Sequence, residues 1–296
     1  MSVTATMSEQ VQRTAAFMRG WSLEATLPHS VEIEALKGTL VPDARIYLSA
    51  IPAEPVSRII EAAAFVRHAG FEPIPHVAAR NYPDRATLAD VLGQMQRGAA
   101  VRRVMVIGGD RDRPAGPFVD ALSVIESGLL QDNGVREIGI GGYPEGHPRI
   151  STDQLERAFA AKMAAARRAG LQVHAVTQFS FDAEAVLAWL RKLRASGFDG
   201  PVRIGIAGPA SIKTLLRYAQ RCGVRATARS MMRSAGLALQ ALGQATPDEI
   251  VGELAAAVAS ENLGEVKPHF YTFGGVAATA RWAQAAAAGA APQPSS

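Results

Sequence analysis

The sequence is poor in the features that would narrow its class at once. Its 296 residues hold a single cysteine, Cys222, so an internal disulfide is excluded and a secreted disulfide scaffold with it. No run reaches the 18 or more apolar residues that a membrane-spanning helix needs. The opening stretch MSVTATMSEQVQRTAAFMRGW has no basic region followed by an apolar core, which argues against a signal peptide. The expectation is therefore a cytoplasmic protein with no membrane partner. No block of Lys and Arg and no interleaving of basic with aromatic residues suggests a groove for nucleic acid. Neither H-E-x-x-H nor C-x-x-C spacing occurs, so no metal is expected. The G-x-S-x-G elbow of a serine nucleophile is also missing.

What is present is a large apolar fraction, 48 %, with a net charge of +4. The first supplies a sizeable core, and the second suits an anionic small molecule without requiring one. Short β-type runs alternate with helical patterns along the chain. Strands are expected at SVEIEAL (30–36), ARIYLSAI (44–51), FEPIPHVA (71–78) and VRRVMVIGG (101–109). They continue with VREIGIGG (135–142), LQVHAVTQF (171–179), VRIGIAG (202–208) and KPHFYTFGG (267–275). Most are followed by ten or more residues of helical period, as in TDQLERAFAAKMAAARRAG, and several helices stop at glycine, Gly70 and Gly170 among them. Three helical stretches fill 210–262. Eight βα units in a chain of this length predict an α/β fold, a (β/α)8 TIM barrel with additional helices. The expected layout is an N-terminal helical extension over 1–24, the barrel over 25–287 and a disordered tail over 288–296. An open doubly wound sheet is the rival, since GIGGYPEGH follows a strand; it lacks the G-x-G-x-x-G spacing of a pyrophosphate turn.

A TIM barrel gathers its functional groups at the C-terminal ends of its strands. The polar residues expected there are Glu32 and Glu34, His76, Asp110, Tyr143, Glu145, His147, Thr177 and Gln178. Each also has a structural reading. Glu32 or Glu34 would serve in a salt bridge and His76 as a hydrogen-bonded core histidine. Asp110 would cap the helix near Pro117, and Tyr143 and His147 would brace a loop. Gln178 is harder to dismiss, because a buried amide needs partners. His68 and His174 read as structural. Carboxylates and hydrogen-bond donors without metal or nucleophile suit acid–base chemistry beside an organic cofactor.

SVEIEALKG, PHVAARN, GGDRDRPAG, GGYPEGHP, VTQFSFD and HFYTFGG, in this order, resemble motifs of the methylenetetrahydrofolate reductase family. The likeness covers nearly the whole chain. It implies a flavoprotein TIM barrel that reduces 5,10-methylenetetrahydrofolate to 5-methyltetrahydrofolate, with FAD as cofactor and NADH or NADPH as hydride donor. The family's general acid is a glutamate of the first strand that leads into a pair of prolines. In this register it is Glu32, with Ala35 and Leu36 at the proline positions and Glu34 as the rival. By resemblance Asp110 meets the pterin and the flavin, and Gln178 meets the pterin or the nicotinamide. Cofactor contacts are implied for His76, Ala78, Gly108, Gly109, Phe118, Tyr143 and His147, with Lys162 (or Arg167 or Arg168) in place of a family lysine. Gly108 stands where the family usually has arginine, and Ala78 where it often has threonine, which implies looser hold on FAD. Three other readings remain open: a flavin-independent reductase of the same folate, another one-carbon TIM-barrel oxidoreductase, and a non-catalytic folate-binding barrel. Ala- and Leu-rich surface helices also leave room for a homo-oligomer.

Overall fold

The computed structural model describes residues 3–51, 54–224 and 244–289. Its barrel strands are β1 (Ser22–Thr26), β2 (Arg45–Ser49), β3 (Glu72–Ala78), β4 (Arg103–Ile107), β5 (Glu137–Gly142), β6 (Gln172–Thr177), β7 (Val202–Ala207) and β10 (Val266–Tyr271). They close in the order β1-β10-β7-β6-β5-β4-β3-β2, the (β/α)8 architecture expected. A short antiparallel pair, β8 (Ala210–Ser211) with β9 (Gln244–Ala245), is added outside it. The helices are α1 (Val3–Met18), α2 (Ser30–Glu34), α3 (Ser57–His68), α4 (Arg85–Ala99), α5 (Ala121–Ile125) and α6 (Leu129–Asp132). After them come α7 (Thr152–Arg168), α8 (Ala183–Ala195), α9 (Ile212–Cys222), α10 (Asp248–Ser260) and α11 (Val276–Ala287). No described helix is long and apolar enough to cross a membrane. Of the helical stretches expected over 210–262, residues 225–243 lie outside the described residues, as do 290–296 of the expected tail.

Seven barrel strands form where the apolar runs predict them. The first does not. SVEIEAL makes the short helix α2, and the strand is the preceding SLEAT. The reason is the spacing of the buried side chains. Strand alternation would put Val31 and Ile33 on one face, yet Val31 is 76 % exposed and Ile33 fully buried. Ile33 and Leu36, three apart, carry the burial as a helical turn requires. Glu32 closes the helix start by accepting from the backbone N–H of His29 at 2.9 Å. The barrel thus begins at Ser22, and the boundary expected at 24/25 falls inside β1.

Contacts group the chain into two compact units, one of residues 24–142 and 152–176, the other of 1–23, 143–151 and 177–296. In the first unit, the opening residues of four successive strands are Arg45, Glu72, Arg103 and Glu137. Register pairs Arg45 with Glu72 and Arg103 with Glu137, so charge alternates from strand to strand. Arg103 donates to Glu137 at 2.6 Å and to Glu72 at 3.2 Å, and Arg67 of α3 donates to Glu72 at 2.5 Å. One layer further along, the Tyr47 hydroxyl lies 2.7 Å from His174 Nε2. β2 and β6 are not neighbours in the sheet, so this bond crosses the barrel interior. His174 Nδ1 in turn lies 2.8 Å from Glu137. Gly139 makes room for the crossing, since a Cβ there would fall 2.7 Å from Met105 Sδ and 2.8 Å from His174 Nε2.

In the second unit, β10 and β7 pair in parallel from Val266 with Val202 to Tyr271 with Ala207. Buried Ser22 receives a bond from Arg203 at 2.9 Å and lies 3.0 Å from His269 Nδ1. α1 packs on α10 and α11.

Two outcomes test this core. Burial by itself raises the Glu137 carboxyl, but the hydrogen bond and charge of His174, with Arg103 and Arg45, outweigh it and hold the group at about 2 instead of 4.5. Because the folded value is depressed, its stabilisation is complete above about pH 4.5 and is lost as pH falls toward 2. Urea denaturation midpoints of Glu137→Gln should therefore fall less steeply over that window than those of the wild type. Gly139→Ala should cost about 1–3 kcal/mol in the same assay, by driving a methyl group into Met105 and His174.

Candidate functional site

In the first unit the C-terminal halves of the strands bring three polar groups together. Glu24 of β1 accepts from Ser49 Oγ of β2 at 2.5 Å, and its other oxygen lies 3.4 Å from His76 Nε2 of β3. The Glu24 side chain keeps 16 % of its surface exposed, so the carboxyl is held yet reachable. His76 is held below its usual 6.5 by burial, against the opposing pull of Glu24, and is neutral at pH 7. A neutral imidazole beside a carboxyl adds no second full charge to the site.

Asp110 stands just beyond β4 on an exposed turn. It is not the cap of the following helix. α5 is capped by Asp120, whose carboxylate accepts from the N–H of Ser123 at 2.9 Å. Gly109 has φ +90, and a Cβ on it would sit 3.2 Å from that of Ala78, so the strand-end loop lies flat against β3. Arg80 ties the loop down through the carbonyls of Val119 at 2.8 Å and Arg111 at 3.1 Å. Among the described residues, no neighbour within 4 Å would meet a Cβ on Gly108. Phe118 is packed inside at 3 % exposure, a core side chain in this arrangement. Lys162, half-buried on α7, is lowered by burial against a weaker opposing effect of Asp120, and makes no salt bridge with a described residue.

In the second unit the loop after β5 folds on itself. Tyr143 and His147 meet edge to face, ring centres 5.4 Å apart, around the turn at Gly146 with φ +80. His147 Nδ1 accepts from the N–H of Arg149 at 3.2 Å, and burial followed by the charge of Arg149 keeps the ring neutral. Its Nε2 is then the donor. Glu145 accepts from Ser180 at 2.6 Å, which ties this loop to the end of β6. Gln178 is half-buried, its amide oxygen accepting from the N–H of Phe179 at 3.1 Å. Thr177 is structural: its hydroxyl accepts from Gly205 N–H at 2.8 Å and its carbonyl from Tyr271 at 3.1 Å. An aromatic cluster of Phe179, Phe181, Tyr218, Tyr271 and Phe273 covers these strand ends.

Glu32 is not among the groups brought together. It is exposed on α2, and its neighbour Glu34 pairs with Lys37 at 2.7 Å. Glu24 and Ser49 were missed by the sequence reading. The available signal was Pro28 close behind SLEAT, together with strand alternation over only five residues. No group of three or more His, Cys, Asp or Glu side chains with metal-binding geometry occurs among the described residues.

Nuclear magnetic resonance of the histidine rings checks the electrostatics. His76 should titrate below 6.5, and because its folded value is depressed by burial, its share of stability should be lost as pH falls beneath 6.5. A His76 that titrates above 6.5 would contradict the neutral assignment.

Comparison with known proteins adds the family. The sequence model for methylenetetrahydrofolate reductase matches residues 53–274. A curated 5,10-methylenetetrahydrofolate reductase of Pectobacterium carotovorum subsp. carotovorum is 27 % identical over 157 residues, 53 % of this chain and 50 % of that one. The match thus spans about half the length of that relative. Among solved structures, an uncharacterised Clostridium thermocellum protein that binds two copies of 5-methyl-5,6,7,8-tetrahydrofolic acid has a TM-score of 0.59 at 14 % identity. The alignment covers 90 % of this chain and 93 % of that one, a likeness of fold. A dihydropteroate synthase of Thermus thermophilus aligns at 17 % identity and a TM-score of 0.47, covering 89 % and 91 %.

Proposed function

The chain belongs to the methylenetetrahydrofolate reductase family, and from that premise we propose that it reduces 5,10-methylenetetrahydrofolate to 5-methyltetrahydrofolate with NAD(P)H. The observation that carries the reading is the Glu24, Ser49 and His76 constellation on three adjacent barrel strands. Opening the five-membered ring of the folate requires a proton at N10, and a positioned carboxylic acid on a barrel strand is the group for that task. Glu24 takes this role in place of Glu32, because the first strand is residues 22–26 and Glu32 stands on an exposed helix.

Ser49 donates to one oxygen of Glu24 and the His76 ring lies 3.4 Å from the other, so the carboxyl has a polar neighbour at each oxygen. Asp110, exposed and not consumed as a helix cap, is the acceptor for pterin N–H groups. Gln178 carries the amide for the pterin or the nicotinamide. Gly108, Gly109 and Ala78 keep one strand end low enough for a flat ring, and Tyr143, His147 and Lys162 supply cofactor contacts, Lys162 toward phosphate. Bound FAD supplies the two-electron carrier between nicotinamide and folate. The buried Phe118 is left as core.

The test is an anaerobic half-reaction. Protein reconstituted with FAD and reduced should regain the oxidised-flavin absorbance on addition of 5,10-methylenetetrahydrofolate, with 5-methyltetrahydrofolate formed. Glu24→Gln should slow that step by roughly 10²–10⁴-fold and leave reduction by NAD(P)H intact, whereas Glu32→Gln should leave both unchanged. Turnover of the folate by NAD(P)H without any bound flavin would replace FAD by direct transfer. Flavin that stays reduced in the presence of the folate would overturn the substrate.

A further inference from the structure

The acid proposed above gives up a proton in every turnover, so something must keep its carboxyl protonated between turnovers. Ser49 Oγ donates to Oε1 of Glu24 at 2.5 Å, which makes Oε1 the accepting oxygen and leaves the acid's hydrogen to Oε2. Oε2 lies 3.4 Å from Nε2 of His76. That nitrogen is buried and has no hydrogen-bond partner among the described residues, and His76 as a whole is 8 % exposed. A buried polar atom without a partner marks strain or a bond that forms in another state of the site. At 3.4 Å the contact has the loose geometry of a catalytic hydrogen bond that tightens when substrate binds. The strands build this placement. β2 and β3 pair from Arg45 with Glu72 to Leu48 with Pro75, and the next residues in that register are Ser49 and His76. Lower on the same faces, Tyr47 bonds His174, and Arg45, Glu72, Arg103 and Glu137 engage one another at the strand starts. Glu24 is the charge that acts on His76.

Two proton arrangements fit a neutral imidazole in this contact. Either Nε2 carries hydrogen and donates to a carboxylate, or Nε2 is bare and accepts from a protonated carboxyl. Complete transfer to the ring would create two charges in a buried place, and burial, which outweighs the pull of Glu24 on His76, opposes it. An acid that must hold its proton selects the second arrangement. We propose that His76 is a positioning residue for the proton of Glu24: its bare Nε2 accepts the hydrogen on Oε2 and keeps the carboxyl in its protonated form until the folate binds. The inference rests on the folate reading above. In the step itself the Oε2–H bond breaks, the N10 lone pair takes the proton, and Glu24 is left ionised. Carboxylate and bare Nε2 then face each other lone pair to lone pair, which raises the proton affinity of Glu24. The Glu24 side chain keeps 16 % of its surface exposed, so water returns the proton. His76 thus acts through Glu24, not on the folate.

Nitrogen-15 magnetic resonance of the histidine-labelled protein reads the tautomer, with the His76 signals assigned by their loss in His76→Gln. At pH 7 the hydrogen should sit on Nδ1 and Nε2 should be bare. A wild-type ring with hydrogen on Nε2 overturns the proposal, and this measurement stands even where a variant fails to fold. Kinetics supply the second readout. His76→Phe, which offers no acceptor, should slow the folate half-reaction roughly tenfold, less than loss of the acid itself, and leave flavin reduction by NAD(P)H unchanged. His76→Gln, whose amide oxygen accepts the same hydrogen, should restore most of the rate. A folded His76→Phe protein with the wild-type rate in the folate step also overturns the proposal. Either result, with 5-methyltetrahydrofolate still formed by the wild type, removes the role of His76 alone. A wild type that forms no 5-methyltetrahydrofolate removes the folate reading, and the role of His76 in ring opening with it.

Discussion

The alternation of charge across the first residues of four strands governs the rest of the barrel. Arg45, Glu72, Arg103 and Glu137 open β2 to β5 in turn; Arg103 meets the carboxylates of both neighbouring strands, and Arg45 reaches Glu137 of the non-adjacent β5 at 3.6 Å. Buried ion pairs give little net stability over apolar packing, because desolvation cancels most of their attraction. What they do provide is register. A slip of one residue would turn every side chain of a strand to the opposite face, and here it would also strand a buried charge. With register settled, the same strands must deliver Ser49, His76, Ala78 and Gly108 to their far ends.

The layer above transmits that order. Tyr47 and His174 meet through the interior only because Gly139 has no side chain. His174 returns the connection to Glu137, so the polar groups of the core form one continuous network from the charged floor to mid-barrel. The carboxyl at the upper end, Glu24, is treated differently. It accepts from the Ser49 hydroxyl and lies beside the neutral His76 imidazole. A strongly paired carboxylate resists protonation, as Glu137 does. Two glutamates of one barrel thus stand at opposite ends, Glu137 in the charged floor and Glu24 where the proposed acid chemistry lies.

Much of this was legible in the residues. β3 reads as a strand because FEPIPHVA is buried on both faces, as parallel barrel strands are. YPEGHP reads as a rigid loop because Gly146 supplies a left-handed turn beside two prolines. β1 was misread because five residues are too few for alternation to outweigh the longer apolar pattern of SVEIEAL beside them. That pattern has Ile33 and Leu36 at helical spacing and is equally compatible with a turn of helix. The displaced strand puts Glu24, not Glu32, in the barrel, and the proposed acid follows it.

The sequence by itself determined the class of fold and the family, since periodicity and motif order are properties of the chain that survive without knowledge of contacts. The tertiary structure decided which carboxyl stands in the barrel, which aspartate is released from capping, and which oxygen of Glu24 faces His76. Those depend on partners distant along the chain: Glu24 on Ser49 and His76, and Asp110 on the presence of Asp120. Local pattern records which face of an element is buried, but only packing settles what that face meets.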